Sequence, residues 1–215
     1  MQGKAFDYSG EMMKRLFLTM LFISTCSSCA GTGEKDAYDF IAGFGNHDPV
    51  FSRFTICYSH GCNKSATVQL TEEEWKTIRQ VFHPESIDAA AERKNIAMAI
   101  GLLETVVGKR TGTDLDRGGT FAGLFRENQM DCVDEAVNTG TYLAMMRHDG
   151  LIRLHDLRGP ANRGYLLWGG WPHIASVIAD KSTGEEYVVD SWFLDNGRPP
   201  FLVPLRQWKN GWRPS

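Results

Sequence analysis

Residues 173–190 read HIASVIADKSTGEEYVVD. An apolar run from His173 to Ala179 meets a polar turn, Asp180-Lys181-Ser182-Thr183-Gly184, and a second β-rich run ends at Asp190. β-branched residues on both sides of a Gly-containing turn predict a β-hairpin. In a hairpin the start of the first strand lies beside the end of the second. This reading sets His173 next to Asp190, within a residue or two of register. Working outward, residues 151–157, 165–168 and 201–203 are further candidate strands, so the C-terminal part reads as an antiparallel meander. Upstream the periodicity changes. Residues 132–147 read as a helix, ended by His148-Asp149-Gly150. A longer helix covers about 86–107, with Ile96, Ala99, Ile100, Leu103 and Val107 on one stripe and Gly108 as its C-cap. Thr71-Glu72-Glu73-Glu74 is a capping box that opens a helix to about Val81. Short candidate strands at 51–57 and 66–70 precede it. Helices followed by an antiparallel meander define an α+β fold, with the 132–147 helix packed on the sheet.

The 215 residues are 42% hydrophobic and 23% charged, which suits a single folded core. With 23 basic residues against 26 acidic ones, net −3, the chain has no basic field to hold nucleic acid. Its longest apolar run, 16–23, falls well short of the roughly 20 residues of a membrane span. That run follows Lys14 and Arg15 and precedes Ser24-Thr25-Cys26-Ser27-Ser28-Cys29-Ala30-Gly31, the pattern of a secretory signal. Cys26 and Cys29 sit where a bacterial lipobox places its lipid-modified cysteine, and the sequence does not choose between them. Neither is followed by Asp, which by family convention indicates the outer membrane. The expected organisation is a signal peptide over 1–29, a polar tether and N-terminal arm over 30–50 and one domain over 51–215. The expected location is the periplasmic face of the outer membrane, with the lipid as anchor.

Three cysteines remain in the domain. Cys57 and Cys62 flank a short loop, and in an exported protein that spacing indicates a disulfide. Two free thiols, or a metal site with His60, are the weaker readings. Cys132 is then the odd thiol. It opens a helix, where main-chain N–H groups and the positive dipole end lower a thiol pKa and can receive an oxyanion. Gln129, three residues upstream, is a candidate second donor to that oxyanion. Nucleophile Cys132, base His173 and orienting Asp190 form a set that does acyl transfer, with Asp195 as the fallback for Asp190. Asp114, Asp116 and Glu127, in the Gly-rich loop before Cys132, read as solvated. Trp168, Trp171, Trp192 and Trp212 read equally as a substrate groove or as core.

Asp131-Cys132-Val133-Asp134 with Ala136, then Tyr142-Leu143 and Gly150-Leu151, resembles the nucleophile helix of transglutaminase-like cysteine peptidases, in particular their bacterial periplasmic branch. His173 before an apolar strand and Val189-Asp190 at the end of the next extend the resemblance over about 95–195. It implies a papain-like core with Cys132, His173 and Asp190 as the triad. Members of that branch tend to carry an acidic residue after the nucleophile that helps bind calcium; here Val133 stands there while Asp131 and Asp134 remain, so the resemblance leaves a calcium site open without supporting it. No cofactor is expected. The expected function is thiol-dependent amide hydrolysis on a protein or peptide in the cell envelope, by a monomer. Transamidation to an amine, or a non-catalytic binding module on the same fold, are the alternatives.

Overall fold

The computed structural model describes residues 33–119, 128–164 and 172–215. The chain order is α1 (Glu34–Ala42), β1 (Phe54–Tyr58), β2 (Lys64–Val68), α2 (Glu72–Val81), α3 (Ala89–Thr111), α4 (Cys132–His148), β3 (His155–Arg163), β4 (His173–Asp180), β5 (Glu186–Asp190), β6 (Phe201–Pro204) and α5 (Leu205–Lys209). Among the described residues β1 and β2 form a small antiparallel pair. The other four strands form a second antiparallel sheet in sequential order. The fold is α+β. The candidate strand at 165–168 lies outside the described residues, as do Trp168, Trp171, Glu127, Cys26 and Cys29.

The sheet is covered on both sides because its strands alternate between two apolar faces. Ile178 and Val189 pack into the main core with Ile96, Ile100 and Leu103 of α3 and Tyr142, Leu143 and Met146 of α4. Val177, Val188 and Val203 face the other way and pack against Trp208 of α5. Each fully buried aliphatic side chain contributes about 1.5–3 kcal/mol, so the stripe on α3 supplies most of what holds that helix to the core.

Three local expectations change. Residues 34–42, placed in a tether, form α1, and Ile41 lies in the main core. Gly108 does not cap α3. The helix runs on to Thr111 and stops at Gly112, whose φ of +78° suits glycine and whose N–H bonds the Gly108 carbonyl at 2.7 Å. Gly108 is instead a point of close packing, where a Cβ would meet the Asp114 nitrogen at 2.9 Å. The third change is at β3, which begins at His155 rather than 151 and runs to Arg163. The capping box is present as read: the Thr71 hydroxyl accepts from Glu74 N–H at 3.2 Å and the Glu74 carboxylate accepts from Thr71 N–H at 2.8 Å.

Candidate functional site

α4 starts against the loop between β1 and β2. Cys57 and Cys62 in that loop are paired as a disulfide, with Cα atoms 4.6 Å apart. Between them Ser59, His60, Gly61 and Cys62 all take positive φ, from 59° to 69°. A run of left-handed residues turns successive N–H groups to one side and makes an anion-binding concavity. The anions are the side chains of Asp131 and Asp134. Asp134 accepts from His60 at 2.8 Å and Cys62 at 2.7 Å, and Asp131 accepts from Gly61 at 2.9 Å. Asp131 also caps α4, accepting from Val133 and Asp134 N–H at 3.0 Å, and Asp134 accepts from Asp131 N–H at 3.1 Å. Asn138, one turn further along α4, holds both the N–H and the carbonyl of Cys57. The disulfide loop is therefore a clamp on the N-terminus of α4.

Calcium does not fit here. Every carboxylate oxygen of Asp131 and Asp134 already faces main-chain N–H dipoles, which repel a cation, and Val133 offers no ligand. The sulfurs of Cys57 and Cys62 lie within 4.8 Å of the Asp134 carboxylate. Bonded to each other, they are not thiolate ligands.

His173 opens β4 and Asp190 closes β5. Ser176 pairs with Val189, which sets Asp190 opposite Ala175 and His173 two residues beyond, on the same face. This diagonal brings His173 Nε2 to 2.8 Å from Asp190 Oδ2, with both residues buried. Trp208 Nε1–H donates to the same oxygen at 2.7 Å, and its ring lies 5.4 Å from the His173 ring. Trp192 packs on His173 at 4.9 Å and Phe193 at 5.4 Å, between ring centres. His173 Nδ1 is buried and has no hydrogen-bond partner among the described residues.

Cys132 is half-buried. The N–H of Ile174, the residue after His173, lies close enough to the Cys132 sulfur to favour the thiolate. The direction of its pKa reverses the expectation from the helix end. Burial pushes the thiol up, and the carboxylates of Asp131 and Asp190 add to this. The Ile174 N–H and the N–H of Cys132 itself pull the other way without overcoming it. The helix N-terminus is also less open than expected. Asp131 takes the N–H groups of Val133 and Asp134, and its carbonyl takes that of Glu135, while the N–H of Cys132 lies by its own sulfur.

Gln129 is not free in the manner of an oxyanion donor. Its Nε2 donates to the Leu115 carbonyl at 3.0 Å and its Oε1 accepts from Arg117 N–H at 3.2 Å. It braces the 115–117 loop against α4. Asp116, read as solvated, is buried and accepts from Met130 N–H at 2.7 Å. Burial pushes its pKa up to about 7. Behind the nucleophile Glu104 is likewise pushed up to about 7, by burial and by the charge of Asp116, and Glu135 is pushed well above its ordinary value by burial and by the charges of Glu104 and Asp116. Asp195 is not the orienter: it is exposed, pairs with Arg117 at 2.6 Å and accepts from Gly118 N–H. Gly118 crosses the Leu194 backbone so closely that a Cβ would sit 2.3 Å from its carbonyl carbon.

Among the described residues, then, an α+β protein brings a thiol, an imidazole and a carboxylate to one end of its sheet. No family model, curated protein or solved structure matches the chain. Among the described residues no helix is long and apolar enough to cross a membrane.

Proposed function

We propose that the protein is a thiol acyltransferase that breaks amide bonds, with Cys132 as nucleophile, His173 as base and Asp190 as orienter, on a papain-like core. One observation carries this reading. A buried imidazole has one nitrogen fixed on a carboxylate and the other unpartnered, and the main-chain N–H of the next residue lies by the only free thiol among the described residues. The Asp190 bond assigns the proton to Nε2, so the Nδ1 lone pair is the acceptor.

The chemistry follows from these positions. Cys132 Sγ attacks the carbonyl carbon of the amide while its proton passes to His173 Nδ1. The raised thiol pKa makes this a proton transfer during attack, not the reaction of a resting thiolate. The developing oxyanion meets the N–H of Cys132. The imidazolium then gives its proton to the leaving nitrogen as the C–N bond breaks, and a thioester remains. Water, deprotonated by His173, releases the acid; an amine in the same place gives transamidation. Asp190, itself held by Trp208, keeps the ring oriented throughout.

The substrate in this reading is a protein or peptide of the cell envelope. The chain reaches it through a lipid on Cys26 or Cys29. To test the activity, a degenerate peptide library is incubated with the full-length chain and its products read by mass spectrometry, with Cys132→Ala as blank. New termini that appear only with Cys132 and His173 intact support the proposal. An unchanged library, with Cys132 still unlabelled by a thiol-directed peptide electrophile, overturns it in favour of a binding module.

A further inference from the structure

A cleft of about 570 Å³ opens on the sheet face that carries His173. Its described lining includes His173, Trp192 and Phe193 together with Arg163, Lys209 and Arg213, and no acidic residue. Three cations with no carboxylate in the cleft wall, only the buried Asp190 behind His173 acting on Arg163, run against a chain whose net charge is −3. Arg163 is the cross-strand partner of His173, so it leaves the sheet on the same face, one strand away from the base. Its Nη1 donates to the carbonyls of Trp208 and Trp212 at 2.6 and 2.7 Å, and its guanidinium lies over the Trp208 ring at 4.3 Å. Lys209 donates to the Asn162 carbonyl. Among the described residues none of the three cations has an ion-pair partner.

We propose that this cleft is the leaving-group subsite and that it selects amines bearing a carboxylate. The proposal rests on the acyl-transfer reading above. In that reaction the base stands between nucleophile and leaving group, because it takes the thiol proton and returns it to the departing nitrogen. A cleft lined by His173 and not by Cys132 is therefore on the leaving-group side. There the cations meet an anion, and Trp192 and Phe193 supply flat apolar walls for the rest of the fragment. The shared chemistry is a carboxylate close to the leaving nitrogen. It has two sources, the free C-terminus of a short leaving peptide and an acidic side chain within a longer one.

The test is a binding titration of the full-length chain, read from the indole N–H shifts of its tryptophans. Three probes separate the sources: glycylglycine, glycylglycinamide, and N-acetylaspartate N-methylamide. At least one carboxylate probe is expected to bind about tenfold more tightly than the amide, the effect of one charge-assisted contact. Preference for glycylglycine identifies a terminal carboxylate; preference for the aspartate probe identifies a side chain. Lys209→Gln with Arg213→Gln, both exposed, is expected to abolish the preference while leaving the fold intact. Equal binding of carboxylate and amide probes, or a preference that survives the double change, overturns the proposal. Cys132→Ala separates this from the catalytic reading, since it must keep the preference while losing cleavage. Cleavage without carboxylate preference removes the subsite alone. Preference without cleavage supports the carboxylate site and removes its catalytic setting.

Discussion

Two buried histidines open neighbouring strands of one sheet, and each lies 2.8 Å from a carboxylate: His155 on Glu92 and His173 on Asp190. The pairs differ in what surrounds them. His155 is engaged at both ring nitrogens, Nδ1 with Glu92 and Nε2 with Arg93 at 3.1 Å. Glu92 accepts further from Arg153 and Leu154 N–H. Burial alone would raise the Glu92 pKa, but His155 and these N–H groups outweigh it and hold the carboxyl below its ordinary value. Every hydrogen bond there is closed, and the pair anchors α3 to the start of β3. His173 is left with an unpartnered nitrogen, a thiol near the next residue and a cleft on its face. A saturated pair stabilises; an unsaturated one at a cleft can react.

The strongest way to break this comparison is to exchange the consequences. Asp190→Asn is expected to lower turnover by about 10⁴-fold with the fold retained, because the amide selects the wrong imidazole tautomer; circular dichroism and library cleavage on the same sample check both halves. Glu92→Gln is expected to do the reverse. It removes the charge that receives His155, Arg153 and Leu154, at a cost of about 3–5 kcal/mol in a denaturant titration, with cleavage per folded molecule unchanged.

The acids behind Cys132 give a smaller, pH-dependent effect. Glu104, ordinarily at 4.5, is held up to about 7 by burial first and by Asp116. Between those two pH values the folded chain binds more protons than the unfolded one, so stability falls as pH rises and the loss is complete above about pH 8. Glu104→Gln retains an acceptor for the Gly197 N–H, which now bonds Glu104 at 2.9 Å. It is expected to flatten this slope, adding on the order of 2 kcal/mol at high pH and little near pH 5. An unchanged slope in urea melts across that range contradicts it. Smallest is Trp208→Phe, which keeps an aromatic side chain and removes the donor to Asp190. One hydrogen bond to a charged group is worth about 1.5–3 kcal/mol, so turnover per folded molecule is expected to drop about tenfold, with the melting midpoint lowered as well because a buried side chain is shortened.

The hairpin that joins His173 to Asp190 was legible because apolar, β-branched runs on both sides of a Gly-containing turn place the start of one strand beside the end of the next. The start of α4 was legible from the change to helical spacing at Cys132; the capping role of Asp131 was not read from the sequence. Trp208 was not, because α5 spans only five residues and no periodicity points it at Asp190, 18 positions away. The burial of Asp116 was hidden by its Gly-rich, charged neighbours, which look like a solvated loop until Met130 closes over the carboxylate. α1 was hidden by its acidic composition, with Ile41 its one fully buried residue. The thiol pKa was misread because the helix end is a local feature, whereas desolvation and the Asp190 charge are tertiary ones.

The central claim is that Cys132 and His173 act as one acid–base unit while His155 does not take part. The rate of Cys132 alkylation by iodoacetamide, followed from about pH 5 to 9, tests it in the wild type, His173→Gln and His155→Gln. With the imidazole removed, the raised thiol is expected to react at least about tenfold more slowly at neutral pH and to recover only as the pH approaches its own ionisation. His155→Gln, compared per folded molecule, should leave the wild-type profile in place. Superimposable profiles for the wild type and His173→Gln would contradict the account.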